Sequence, residues 1–201
     1  MADLGIVRMY TDFKSPYSYL AFEPGLDLPK EFDVKVEWRP FQTKQRGAGE
    51  RSTYSEFKYR YSWIDLNRWG RSRGISFQPP EKIFDSTLAL IGGLFAEKNG
   101  FLKEYGQLVY RRFFSSKLQM EDPAEIAAII MEAGGDAVGF QTYAAAQGAS
   151  DLEAAFAEAA ENKVFGAPFF IFDGEHFWGN DRIALLKRRL AEKGLALAGQ
   201  T

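Results

Sequence analysis

A strand that turns directly into a helix is the feature of this chain that most restricts its fold. Residues 6–10 are rich in β-forming side chains, and Ser15-Pro16 then opens an apolar segment that predicts a helix over 16–26. Serine before proline is a typical helix start, because the hydroxyl can cap free N–H groups and proline has no N–H to leave unpaired at the first helical position. The Ser15 hydroxyl is therefore expected at the positive end of the helix dipole, which stabilises anions.

Strand patterns recur after this helix and near the end of the chain. Residues 32–38 alternate at period two and predict a second strand, so the first part of the chain is expected to form a βαβ unit with a right-handed crossover. Near the end, residues 165–172 and 175–178 predict two strands joined by a tight turn at Asp173-Gly174. Residues 182–193 predict a closing helix with one apolar face.

The middle of the chain has a helical pattern. Large side chains recur at helical spacing on one face of the first predicted helix, namely Phe57, Tyr61, Ile64 and Arg68. Further helices are predicted over 85–98, 101–114, 122–133, 137–146 and 151–162. We therefore expect an α/β, thioredoxin-like fold, in which residues 1–43 and 151–201 form the thioredoxin-like domain and residues 44–150 form a large inserted all-helical domain.

The absence of cysteine excludes several kinds of active site. The 201 residues include no cysteine and one histidine, His176. A disulfide, a protein thiolate and a cysteine-bound metal are therefore excluded, and no metal site is expected. Ser15 and Ser18 occupy the spacing where a redox enzyme on this scaffold carries Cys-x-x-Cys, so thiol–disulfide exchange is excluded as well. For His176 we expect a surface or packing role.

Charge and hydropathy exclude other classes of partner. The net charge is −2 with both signs interspersed, which argues against a nucleic-acid-binding surface. No run approaches the ~18 apolar residues of a membrane span. Residues 1–5 lack the basic region and apolar core of a signal peptide, so we expect a cytoplasmic protein without a membrane partner. The 31 aromatic residues (18 Phe, 9 Tyr and 4 Trp) are numerous enough to line a flat apolar ligand pocket as well as a core. The four tryptophans are more often core residues than ligand-stacking ones, and Trp38 and Trp178 are the better pocket candidates.

Four segments of the chain resemble the 2-hydroxychromene-2-carboxylate isomerases, which belong to the DsbA-like, kappa-class glutathione transferase group. The segments are DFKSPYSYLA at 12–21, WRPF at 38–41, VFGAP at 164–168 and DGEHFWGNDR at 173–182. The resemblance implies a glutathione-dependent enzyme, usually a homodimer, that interconverts 2-hydroxychromene-2-carboxylate and trans-o-hydroxybenzylidenepyruvate. In that reaction the glutathione thiolate adds reversibly to a conjugated enone of a small aromatic substrate.

The resemblance also assigns roles to individual residues. It implies that Ser15 is the catalytic residue, whose hydroxyl contacts the glutathione sulfur. Pro168 corresponds to a proline that follows a cis peptide bond and exposes the backbone of Ala167 to the peptide part of glutathione. The remaining glutathione contacts that it implies are Asn180 and Asp181 at the γ-glutamyl end and Lys58 at a carboxylate.

Each of these residues also has a structural alternative. Ser15 can be a plain helix cap, Lys58 a solvated lysine, and the pair Asn180-Asp181 a cap of the closing helix. One departure from the family is that residues 47–54 lack its Asn-x-Pro-Pro segment, so a loop of different shape is expected there, without the asparagine that contacts glutathione in the family. Two alternative functions stay open on the same scaffold: irreversible conjugation by a kappa-class-like transferase or peroxidase, and non-catalytic binding of glutathione.

Overall fold

A four-stranded sheet forms the centre of the structure, a computed structural model that describes residues 5–43 and 56–198, apart from the side chains of residues 56, 58 and 59. The strands are β1 (Gly5–Thr11), β2 (Val34–Pro40), β3 (Phe169–Phe172) and β4 (Glu175–Trp178), and their order in the sheet is β2-β1-β3-β4. β1 and β2 are parallel, and the other neighbouring pairs are antiparallel. The predicted βαβ unit and C-terminal hairpin are therefore present.

Eight α-helices surround or extend from this sheet in the described residues. They are α1 (Pro16–Leu26), α2 (Glu56–Arg73), α3 (Thr87–Lys98), α4 (Leu102–Phe113), α5 (Pro123–Glu132), α6 (Ala137–Tyr143), α7 (Ala149–Glu161) and α8 (Ile183–Glu192). A π-helical segment, Ala144–Gly148, joins α6 to α7. None of these helices is long and apolar enough to cross a membrane.

One predicted boundary near the end of the chain was wrong. The third strand begins at Phe169 rather than at residue 165, because Pro168 has no N–H to donate to a strand ladder. The closing helix begins at Ile183, after a 3₁₀ turn over Asn180–Arg182. The predicted domain boundaries at residues 44 and 150 stay predictions.

Side chains on the two faces of the sheet enter different apolar clusters. Val7 and Met9 on β1 face the large core, where they join Phe170 on the neighbouring strand. Tyr10 faces the opposite side and packs with Phe169 in a smaller cluster. Because strand side chains alternate between faces, this division follows directly from the register of β1 and β3. Both faces of the central strands are therefore covered.

An aromatic cluster joins the sheet to the helices that follow it. The ring of Phe13, just beyond β1, lies 5.9 Å from Trp38 on β2, 5.7 Å from Tyr105 and 5.0 Å from Tyr110, both on α4. Trp38 is fully buried and its indole N–H donates to Thr11 Oγ1 at 2.7 Å. The prediction of Trp38 as a pocket residue was therefore wrong: its ring points into the core.

The helical spacing in α2 identified a helix but not its buried face. Phe57, Tyr61 and Ile64 are exposed in the structure, at 82%, 59% and 51% of their surface. Leu66 is buried, and Trp63 and Trp69 pack against the large core. Periodicity alone shows which residues share a face, and it does not show which neighbour covers that face.

A cluster of charged residues connects β2 with α3 and α7. Arg39 Nε lies 2.9 Å from Glu158 Oε2, and Arg39 Nη2 lies 3.0 Å from Glu37 Oε2. Glu97 on α3 is the third carboxylate near Arg39, with its Oε1 4.0 Å from Nη1. Burial raises the pKa of Glu97 to about 7, and the nearby Glu37 charge acts in the same direction against the attraction of Arg39.

We predict that Glu97→Gln stabilises the protein more at pH 8 than at pH 5. Because the folded-state pKa of Glu97 lies above its ordinary value of 4.5, the folded state binds the extra proton between these two pKa values. The stability that Glu97 contributes is present below pH 4.5 and is lost as the pH rises through about 7. Urea unfolding of wild type and variant at both pH values measures the difference.

The matched control for this prediction is Glu161→Gln, which removes an exposed carboxylate at the end of α7. Its effect on unfolding should change much less between pH 5 and pH 8. A Glu97→Gln effect that is constant over this range, or larger at pH 5, would contradict the raised pKa of the partly buried Glu97 carboxyl group.

Candidate active site

Ser15 lies where the end of β1 meets the start of α1. Its Oγ accepts a hydrogen bond from the backbone N–H of Ser18 at 3.2 Å, which is the expected helix cap, and Pro16 is the first helical residue. The same hydroxyl lies 3.3 Å from the carbonyl oxygen of Ala167, to which it donates. The contact with Ala167 joins the start of α1 to the loop before β3. Ser15 is 9% exposed and lines a cleft.

The loop before β3 carries the second predicted element of the site. The peptide bond between Ala167 and Pro168 is cis, as the resemblance implied. The carbonyl of Pro168 accepts a hydrogen bond from Gly179 N–H at 3.0 Å, which draws the end of β4 towards the loop. Asn180 and Asp181 follow directly after Gly179 and therefore lie on the same side of the fold.

One cleft of about 900 Å³ is lined by five of the six residues that the resemblance assigned. Those five are Ser15, Ala167, Pro168, Asn180 and Asp181. The sixth, Lys58, has a side chain outside the described part of the structure, and so does the segment 47–54 that departs from the family pattern. The roles of all six residues stay predictions. Those roles require the residues to reach one ligand, and five of them do line the same cleft.

Asn180 has a feature that a simple cap does not explain. It is 4% exposed, and its Nδ2 is buried with no hydrogen-bond acceptor among the described residues. A buried amide donor normally has a partner, because leaving it unpaired costs about 1–3 kcal/mol. Asp181 beside it is half-exposed and lies 2.8 Å from the guanidinium of Arg182. The pair thus combines an accessible carboxylate on Asp181 with an unpaired, buried amide donor on Asn180.

Polar residues beneath Ser15 were not identified from the sequence. Asp12 is fully buried, and its Oδ2 accepts from the backbone N–H of Thr43 at 2.8 Å and from Thr43 Oγ1 at 2.6 Å. Lys14 Nζ lies 3.5 Å from the same oxygen. Lys14 and Thr43 both line the cleft. Their position in the sequence could have identified them, because residues 12–14 and 41–43 directly follow two predicted strands. Ligands in open α/β sheets bind beyond the carboxyl ends of the strands.

A tyrosine–aspartate pair connects α1 and α2 at the cleft wall. Tyr17 OH donates to Asp65 Oδ2 at 3.2 Å, and both side chains line the cleft. This pair was also missed from the sequence, because Asp65 lies 48 residues from Tyr17. It fixes the orientation of the Tyr17 ring next to Ser15.

Two exposed aromatic rings form another part of the wall. Phe165 and Trp178 are 65% and 56% exposed, and their ring centroids are 4.9 Å apart in an edge-to-face arrangement. Trp178 therefore lies in the cleft, as predicted from the sequence. His176 is exposed on the face opposite Phe177, with its ring 5.2 Å from that of Phe169, so its predicted surface or packing role is confirmed.

The comparisons with known proteins agree with this geometry. The family model of the DSBA-like thioredoxin domain matches residues 6–191. The chain belongs to this family. It is 25% identical over 188 residues to the 2-hydroxychromene-2-carboxylate isomerase of Pseudomonas putida, covering 90% of this chain and 92% of that protein. The predicted resemblance is therefore confirmed.

Solved structures show the same fold. A 2-hydroxychromene-2-carboxylate isomerase superposes with a TM-score of 0.79 at 23% identity, over 94% of this chain and 96% of that one. The cytosolic disulfide reductase DsbM from Pseudomonas aeruginosa, in a structure with GSH, superposes with a TM-score of 0.63 at 19% identity, over 92% and 99% of the two chains. The predicted α/β, thioredoxin-like fold with a helical insertion is confirmed.

In this DSBA-like domain, we predict that Gly179→Ala destabilises more than Gly174→Ala. Gly179 has φ 117° and ψ 154°, a region open almost only to glycine, whereas Gly174 has φ 74° in the hairpin turn. A β-carbon at Gly179 would also lie 2.5 Å from Asp181 Oδ1, while at Gly174 it meets no described atom within 4 Å. We expect losses of roughly 2–3 kcal/mol for Gly179→Ala and about 1 kcal/mol for Gly174→Ala, measured by urea unfolding.

Equal losses for the two glycine variants would contradict this account. They would mean that the chain after β4 relaxes without cost, so that the backbone at Gly179 does not hold Asn180 and Asp181 in place.

Proposed function

We propose that this chain is a glutathione-dependent isomerase that acts on an aromatic enone acid of the 2-hydroxychromene-2-carboxylate type. The observation that carries the proposal is the Ser15 hydroxyl, which lies at the start of α1, lines the cleft and contacts the Ala167 carbonyl. The names of the relatives support the reaction class, and the GSH-containing structure of a fold neighbour supports the cofactor. The resemblance further implies a cytoplasmic homodimer, which is part of the proposal.

The residues of the cleft suit glutathione as a cofactor. The buried Nδ2 of Asn180 needs an acceptor, and the carboxylate of Asp181 suits the ammonium group of the γ-glutamyl end. The backbone around Ala167 and Pro168 lies at the edge of the cleft, where an extended peptide can pair with it as an added strand. Lys58 remains the proposed partner of a glutathione carboxylate.

Bound glutathione supplies the thiol nucleophile, which the cysteine-free chain itself lacks. The Ser15 hydroxyl has one O–H donor, which turns from the Ala167 carbonyl to such a nucleophile and stabilises its charged form. The N-terminus of the 11-residue α1 adds its partial positive charge. Both effects favour an anion and therefore lower a thiol pKa. The aromatic wall of Phe165 and Trp178 keeps part of the cleft apolar, where these electrostatic effects are stronger.

We predict that Ser15→Ala keeps the fold and loses most of the isomerase activity. Loss of the cap costs about 0.5–2 kcal/mol, which a domain of this size survives. Loss of a hydrogen bond to a developing charge lowers turnover by roughly ten- to a thousandfold. The measurement is the initial rate with 2-hydroxychromene-2-carboxylate and saturating glutathione, together with a thermal melt of the variant.

Asp122→Ala is a matched control for the loss of a cap. Asp122 precedes Pro123 as Ser15 precedes Pro16, and its side chain caps α5 by accepting from Ala124 N–H at 2.8 Å, away from the cleft. We expect a comparable loss of stability with turnover unchanged. If Ser15→Ala turned over as fast as Asp122→Ala, Ser15 would be only a helix cap and the proposed role would be wrong.

A further inference from the structure

Lys14 is a buried cation at the edge of the cleft to which the assigned glutathione contacts give no role. Its side chain is only 10% exposed, and it lines the cleft next to Ser15. The Nζ atom lies 3.5 Å from Oδ2 of Asp12, whose side chain is fully buried. A lysine ammonium group has three N–H donors, so one carboxylate at this distance does not satisfy it.

Shorter contacts from neutral groups already hold the Asp12 carboxylate. Oδ2 accepts from Thr43 N–H at 2.8 Å and from Thr43 Oγ1 at 2.6 Å, and Oδ1 lies 3.3 Å from the backbone N–H of Lys14. Lys14 Nζ is the most distant of these donors. Asp12 therefore attracts the ammonium group by charge, and the ammonium group has more N–H donors than this one contact uses.

Other charged groups near Lys14 are engaged elsewhere. The Asp85 carboxylate, which Lys14 also attracts, accepts from Thr87 N–H at 2.9 Å and from Gln42 Nε2 at 2.7 Å. At the other wall of the cleft, Arg182 pairs with Asp181 at 2.8 Å. The N–H donors of Lys14 and the N-terminus of α1 are therefore the groups on the Ser15–Thr43 side of the cleft that a ligand anion can contact.

An apolar cavity adjoins this side of the cleft. It has a volume of about 450 Å³, and Phe165 lines both this cavity and the cleft. Its other walls include Phe41 and Phe156, and Phe41 is two residues before Thr43 in the chain. Because the cavity and the cleft share Phe165, a ligand whose aromatic ring lies in the cavity can extend a polar group into the cleft that Lys14 lines. Apolar pockets with a few converging polar groups are typical ligand sites.

We propose that Lys14 binds the carboxylate of an aryl carboxylic acid whose ring occupies the cavity between Phe41, Phe156 and Phe165. This inference rests on the proposed function and deepens it, since it names the residue that selects acids over their neutral derivatives. Lys14 acts on substrate affinity and leaves the thiol chemistry to Ser15. A purely structural Lys14, which only neutralises Asp12, would instead affect acids and neutral analogues alike.

The test measures binding of 3-(2-hydroxyphenyl)propanoate and of its amide by calorimetry in the presence of glutathione. Both probes lack the conjugated alkene, so no thiol addition accompanies binding. In wild type we expect the acid to bind about ten- to a hundredfold more tightly than the amide, since a hydrogen bond to a charged group contributes that much. In Lys14→Met this preference should vanish, and in Lys14→Arg it should persist.

Two further variants separate the contact of Lys14 with the ligand from effects of net charge and of misfolding. Lys98→Met removes a lysine that pairs with Asp151 outside the cleft, so it makes the same change in net charge and should keep the acid preference. The variant Lys14→Gln removes the charge, keeps a polar side chain beside Asp12 and replaces Lys14→Met if that variant fails to fold. It should likewise bind acid and amide equally.

The outcomes distinguish this inference from the proposed function. If the acid fails to bind wild type, or if Lys14→Met keeps the wild-type preference, the inference is wrong, whatever glutathione does. If millimolar glutathione leaves the thermal melt of wild type unchanged while the Lys14-dependent preference for the acid remains, the glutathione-dependent function is wrong and the acid-binding site stands.

Discussion

The hydrogen bonds of Asp12 hold the site together. Its backbone N–H donates to Ser18 Oγ at 3.3 Å, and its carbonyl accepts from Ser15 N–H at 3.0 Å and from Tyr110 OH at 3.2 Å. Its buried carboxylate binds the backbone and hydroxyl of Thr43. One residue at the end of β1 thus fixes the start of α1, the position of α4 and the segment after β2. The orientation of the Ser15 hydroxyl follows from these constraints.

Local signals in the sequence were enough to predict the elements that carry the site. Ser15-Pro16 and Asp173-Gly174 have conformational preferences that do not depend on distant neighbours, and they mark the start of α1 and the hairpin turn where the structure has them. Ser15 and Ala167 meet across 152 residues of chain. The family resemblance implied that both contact glutathione, but neither it nor a local pattern predicted that they contact each other.

The errors of the sequence analysis have a common physical origin. Trp38 flanks a motif in sequence, but its place on β2 directs the ring into the aromatic core around Phe13. The shared face of Phe57, Tyr61 and Ile64 was recognised, but whether another element covers it depends on tertiary packing. The Asp12–Thr43 contact and the Tyr17–Asp65 contact also link distant residues. Side-chain direction and partner choice are set by tertiary contacts, which periodicity does not contain.

We propose that the cleft uses glutathione as a cofactor that is regenerated, and the decisive measurement is the amount of free thiol before and after many turnovers. Ser15 at the start of α1 favours a thiolate in both an isomerase and a conjugating transferase, so geometry alone does not separate these reactions. With an aromatic enone acid of the 2-hydroxychromene-2-carboxylate type, we expect conversion that requires glutathione and leaves the amount of free thiol unchanged. Stoichiometric loss of thiol with a stable thioether product would contradict the account and identify a transferase.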